Sequence, residues 1–163
     1  MPVRVLGHPI HQMLIVFPLG LLATAVVLDV IGLIAAPGRW HEVAFWLIGA
    51  GVLGGLLAAP FGLLDWLGIP GGTRARRVGA LHGLGNLVVV GVFAASWLLR
   101  RPLPATPDGL ALGLSFVGGA LALVTGWLGG ELVNRLGVGV DDGAHLNAPS
   151  SLSGRPATET RRI

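Results

Sequence analysis

Gly7-His8-Pro9-Ile10-His11-Gln12-Met13-Leu14-Ile15-Val16-Phe17-Pro18-Leu19-Gly20 is the stretch that decides how this chain is read. Two histidines three residues apart stand at the mouth of an apolar run that continues to Ala36. That run is long enough to cross a bilayer, which takes roughly 20 apolar residues. An imidazole at the bilayer edge is costly without a partner. The motif therefore states a fold and poses a question about what the histidines hold. Arg4, the run and Ala23-Thr24-Ala25 imitate a cleavable leader, but the apolar stretch exceeds a leader's core.

Composition extends the membrane reading to the whole chain. Of 163 residues, 53% are hydrophobic and 12% charged, with a mean hydropathy of +0.76. A soluble domain carries about 25% charged residues. Four segments qualify as spans, residues 11–35, 43–67, 79–99 and 110–134, separated by Pro37-Gly38, Pro70-Gly71-Gly72 and the prolines at 102, 104 and 107. The expected fold is all-α, an integral membrane four-helix bundle formed by residues 1–136. Residues 137–163, rich in Gly, Ser, Pro, Asp and Arg without apolar period, read as a flexible soluble tail. No internal repeat is evident.

Every basic residue is arginine. Four spans put both termini on one side, with Arg4, Arg74, Arg76, Arg77, Arg135, Arg155, Arg161 and Arg162. The opposite side has Arg39, Arg100 and Arg101. The positive-inside rule then places both termini in the cytoplasm. Trp40, Trp46 and Trp97 near one boundary and Trp66 near the other suit an aromatic belt. Trp127 lies deeper and is expected to pack, with a cofactor-facing role as the alternative. A net charge of +3 spread over loops does not indicate nucleic acid as a partner.

Sorting polar residues by depth gives the candidate site. His8 and His11 enter the first span, Asp65 ends the second, His82 and Asn86 open the third, and Glu131 with Asn134 closes the fourth. All four spans thus place polar groups at the inner end, whereas the outer half has Asp29, with His41 and Glu42 at its boundary. Ionisable residues inside spans are functional-site candidates. Pro9 holds His8 away from helical geometry, which leaves His11 as the better-placed donor. His82 and Asn86, four apart, share a helix face, and Glu131 is expected to pair with Arg135. Gly83, with Gly79 and Gly85, is expected to clear space beside His82. The patterns Gly51-x-x-x-Gly55, Gly79-x-x-x-Gly83, Gly109-x-x-x-Gly113 and Gly126-x-x-x-Gly130 would allow close helix approach.

Three chemistries fit this layer. A single b-type heme could take His11 and His82 as axial ligands, with His8, Asn86 and Gly83 around it; this requires the first and third spans to be neighbours. A single transition-metal ion could take His11, His82, His8, Asp65 and Glu131. The layer could instead bind a lipid head group, a quinone or a partner subunit without any cofactor. The chain has no cysteine, and no nucleophile constellation or acid–base pair stands at a recognisable spacing. It reads as something other than a stand-alone enzyme. The expected role is an electron-transfer or redox-partner subunit. Its partners would be the lipid bilayer, a membrane or peripheral redox protein, and a second copy in a homo-oligomer. A metal-binding or transport-related protein and a non-enzymatic scaffold or accessory subunit are the alternatives.

Four ordered motifs, GHPIHQMLIVFPLG, FGLLDWLG, ALHGLGNL and GWLGGELVNRLGVGV, resemble the bacterial membrane-protein family catalogued as domain of unknown function 2231. The resemblance covers residues 5 to about 140. It implies four transmembrane helices without assigned activity, and relatives fused to Rieske-type iron–sulfur domains imply a link to electron transfer. Gln12 and Val16 stand where many members have proline and histidine, so a third histidine on the first span is missing here.

Overall fold

Pro18 sets the shape of the first span. It has no N–H to offer Leu14, so the helix breaks one turn earlier, into α1 (Ile10–Leu14) and α2 (Val16–Ile34). The computed structural model describes residues 3–35 and 38–159. Before α1, Arg4–Val5 (β1) pairs antiparallel with His8–Pro9 (β2). Leu6 and Gly7 form the turn with φ of 50° and 85°. Two positive φ values in a two-residue hairpin loop match the right-handed twist of its strands.

Three long helices follow: α3 (Arg39–Leu67), α4 (Arg74–Arg100) and α5 (Gly109–Asn134). With the α1–α2 unit they make four helices long and apolar enough to span a membrane. The expected spans end within one residue of the observed helices, but the second and third begin at Arg39 and Arg74 rather than at 43 and 79. Their first turns are polar, and hydropathy alone does not count them. Thr73 and Asp108 start α4 and α5 by accepting from the backbone N–H of Arg76 and Ala111.

The helices run up and down around the bundle in chain order. α2 packs most closely on α3 and α4 on α5, and the ring is closed by α3 with α4 and α2 with α5. The first and third spans therefore lie on a diagonal and not side by side as the heme reading assumed; they face each other across the interior, where Arg100 bonds Asp29. The core is narrow, built from Leu22, Ala25, Ala44, Ile48, Val52, Val89 and Phe93. Phe45 stacks on Trp97 with ring centroids 5.6 Å apart. Most other Leu, Val and Trp side chains point outward, as a lipid-facing surface requires. Trp127 is among them, 67% exposed; it neither packs in the bundle nor faces a cofactor within it.

Glycines set the spacing at specific points. A Cβ on Gly51 would meet Leu22 at 2.7 Å, and one on Gly55 would meet Val90 at 3.0 Å. Gly83, Gly109, Gly113 and Gly126 have nothing within 4 Å. Of the four small-residue patterns, Gly51-x-x-x-Gly55 is thus the one whose two glycines both lie against another helix.

Arg76 closes the α3–α4 turn. Its Nη1 donates to the carbonyls of Trp66, Leu67 and Ile69 where α3 ends, that of Trp66 also accepting the Ile69 N–H. Its guanidinium lies 3.9 Å from the Trp66 ring centroid, and Trp66 Nε1 donates to Arg76 O. Arg76→Ala is expected to lower stability by about 1.5–3 kcal/mol, the range for hydrogen bonds to a charged group. Denaturant titration of the purified protein in detergent checks this.

Residues 135–159 form turns and one 3₁₀ turn, Ser151–Ser153. It returns to the end of the bundle that carries the N-terminus. Arg4 pairs there with Asp141, and Ser151 Oγ lies 3.4 Å from His8 Nε2. Pro37, Arg161 and Arg162, used above for helix breaking and sidedness, lie outside the described residues.

Candidate functional site

At the terminal end of the bundle, α1 and α4 each present a half-buried imidazole. His11 Nδ1 donates to the Ala58 carbonyl of α3 at 3.1 Å. His82 Nδ1 donates to the Thr125 carbonyl of α5 at 2.8 Å. A carbonyl only accepts, so both rings carry their proton on Nδ1 and turn the Nε2 lone pair away from the tether. This arrangement orients imidazoles that act as ligands. Each ring rests where the neighbouring helix has no side chain: a Cβ on Gly62 would meet the His11 ring at 2.7 Å, and one on Gly129 the His82 ring at 3.0 Å. Asn86, one turn after His82, donates its amide to His82 Nε2 at 3.1 Å.

Other expected members of the layer are engaged elsewhere. Gly83 is exposed and not beside the imidazole; the space-clearing glycine is Gly129, on the partner helix. His8 sits in β2, outside the helix, beside Ser151. Asp65 Oδ1 accepts the Val3 N–H at 2.8 Å and so ties down the N-terminal segment. Glu131 pairs with Arg74 of α4 at 2.6 Å rather than with Arg135, because the adjacent helix brings a guanidinium to its carboxylate. The proposed metal set of His11, His82, His8, Asp65 and Glu131 therefore does not converge. Among the described residues there is no group of three or more His, Asp or Glu side chains able to hold a metal ion.

Four helices do converge on one polar cluster, but at the far end. Asp29 of α2 is fully buried. Arg100 of α4 grips it with two bonds of 2.7 Å, Nη1 to Oδ1 and Nη2 to Oδ2. His41 Nδ1 of α3 donates to Oδ1 at 3.0 Å, and Ser115 Oγ of α5 to Oδ2 at 2.9 Å. Arg100 Nε donates to Ser96 Oγ, which donates on to the Ala111 carbonyl. Each carboxylate oxygen accepts two bonds, which closes the network. A closed network of this kind fixes one arrangement of the helices.

Arg100 is the residue that sequence reasoning misplaced, by assigning it to an exposed loop as a sidedness signal. The missed signal is helical period. Val89, Phe93, Ser96 and Arg100 recur at steps of four, three and four, and all four are buried. The helix continues to the residue before Arg101-Pro102 and takes Arg100 inward with it.

A sequence family described as "Predicted membrane protein (DUF2231)" matches residues 7–142. The chain belongs to that family. No curated protein and no solved structure matches it. The DUF2231 match spans all four apolar helices and the β2 strand before them, so both polar layers lie inside it. The protein is accordingly a multi-pass membrane protein whose outward apolar faces contact lipid. Within this DUF2231 chain the far-end cluster is saturated, whereas the two terminal-end imidazoles are tethered through Nδ1, with the Asn86 amide on His82 Nε2 and no hydrogen-bond partner on His11 Nε2 among the described residues.

Proposed function

We propose that this protein holds one b-type heme between His11 and His82 and serves as an electron-transfer or redox-partner subunit of the bacterial cytoplasmic membrane. The observation that carries the reading is the matched tether: two imidazoles from different spans, each fixed through Nδ1 to a carbonyl of the next helix. A heme iron bound by two imidazoles supplies one-electron exchange, tuned by its axial ligands and burial.

The chain's own part is orientation. Ala58 and Thr125 fix the ring planes, Gly62 and Gly129 make room for the rings, and Asn86 points at the nitrogen a ligand would take. That amide is the group an occupant displaces at His82. Sidedness follows the arginine bias. Arg4, Arg74, Arg76, Arg77, Arg135 and Arg155 at the terminal end against Arg39, Arg100 and Arg101 at the far end support placing both termini in the cytoplasm.

Protein purified from heme-replete cells is expected to be red, with a Soret band that is lost in His11→Ala and in His82→Ala. A colourless preparation, or a band untouched by both substitutions, overturns the heme reading.

A further inference from the structure

The two imidazole tethers are not merely alike; they are the same device at a fixed shift along the chain. His11 and His82 stand 71 residues apart. The same shift carries Pro18 to Val89, Leu22 to Phe93, Ala25 to Ser96 and Asp29 to Arg100, and all eight of these are buried. On the partner helices a shift of 67 carries Ala44 to Ala111, Ile48 to Ser115, Gly51 to Gly118 and Ala58 to Thr125, again all buried. Contacts correspond as well as positions. A Cβ on Gly51 would strike Leu22 at 2.7 Å, and one on Gly118 would strike Phe93 at 2.8 Å. Gly62 faces His11 as Gly129 faces His82. Ala58 O receives His11 as Thr125 O receives His82. A shared helical period could align one set of buried positions by chance. It would not also align two glycine notches and a side-chain tether on the partner helix.

We infer that the chain is two copies of one helical hairpin, residues up to the Pro70-Gly71-Gly72 turn and residues beyond it, paired about a pseudo-two-fold axis along the bundle, and that His11 and His82 are equivalent donors facing one ligand site on that axis. Parallel repeats of a membrane protein relate to each other about such an axis. Asp29 and Arg100, the equivalent pair at the far level, meet directly, with both carboxylate oxygens in contact with the guanidinium. The axis therefore passes between equivalent positions, and the histidine pair occupies the same place at the terminal end. An occupant placed there meets one imidazole from each copy, which suits a metal centre taking two like ligands and not a head group with one polar end. This last step rests on the heme reading; the duplication does not.

The copies have diverged where identity would fail. Two like charges at positions 29 and 100 would repel in a buried place, and the chain has one of each sign. Asn86 corresponds to Ile15, so His82 has an amide on its Nε2 and His11 has no counterpart of it on its own helix.

The chain has no cysteine, which makes spin labelling specific. Gly20, Ala59, Gly91 and Gly126 are exposed. The labelled pair Gly20→Cys with Gly126→Cys corresponds under the axis to Gly91→Cys with Ala59→Cys. Double electron–electron resonance on the full chain in detergent is expected to give the same distance distribution for both pairs; distributions that do not overlap overturn the duplication. For the ligand site, His11→Gly and His82→Gly loaded with hemin should both lose the six-coordinate spectrum and regain it with added imidazole. If either variant keeps that spectrum unaided, the equivalence of the donors is overturned. If the unmodified chain takes no hemin, the heme reading falls, and the distance pairs still decide the duplication.

Discussion

Arg100→Met is expected to destabilise the protein by about 3–5 kcal/mol, the cost of stripping one partner from a buried ion pair. Asp29 would keep only His41 and Ser115 as donors, a buried carboxylate stripped of its guanidinium among apolar helices. Folded proteins have about 5–15 kcal/mol in all, so the variant should accumulate poorly and unfold at much lower denaturant. Asp29→Leu should be as severe for the converse reason, since it leaves a guanidinium bonded only to Ser96. Combining the two substitutions should recover much of the loss, because replacing both members of a buried pair by apolar residues is often neutral. The remaining deficit would be the orphaned His41 and Ser115, at about 1–3 kcal/mol each. Denaturation in detergent across the two single variants and the double variant measures the coupling. Additive losses would show that the pair does not act as a clamp.

Gly62→Val and Gly129→Val are expected to displace the imidazoles. The introduced Cβ would stand 2.7 Å from His11 Cε1 and 3.0 Å from His82 Cε1. An imidazole is rigid, so the clash is relieved only by swinging the ring, which breaks the bond to Ala58 or Thr125. Overpacking costs about 1–3 kcal/mol and the lost hydrogen bond about 0.5–1.5 kcal/mol. Stability should drop by that sum, and any heme signal should fall as far as it does in the histidine substitutions. Gly83→Val is the control. Its Cβ has open space around it, so both readouts should stay unchanged even though Gly83 is adjacent to His82 in the chain.

That contrast between Gly83 and Gly129 shows what a sequence conveys about such a site. Span number, span ends and the terminal-end position of His11 and His82 follow from hydropathy and helix breakers, which act along one chain segment. Pro9 was legible in the same way, and His8 is indeed held in a strand before the helix. The tethers were not legible, because their acceptors are backbone carbonyls that any residue supplies. Nor was the notch glycine, which belongs to the facing helix. Helix order was equally hidden, so the diagonal relation of the first and third spans came only with the fold. Asp29 was visible as an isolated buried acid. Its partner looked like a loop charge until the period of α4 carried it inward.

The Asp29–Arg100 contact also has a consequence for how the chain enters a membrane. A span bearing a lone charge inserts against a penalty of up to about 2.5–3.5 kcal/mol at the bilayer centre, less toward its ends. Within the first hairpin Asp29 has only His41 as a partner, and no arginine, until residue 100 has been made and has reached it. A nascent chain stopped after the Pro70-Gly71-Gly72 turn is therefore a poor resident of the bilayer, open to slippage and to proteolytic removal. Synthesis of α4 supplies the countercharge, and the early half is secured by the late one.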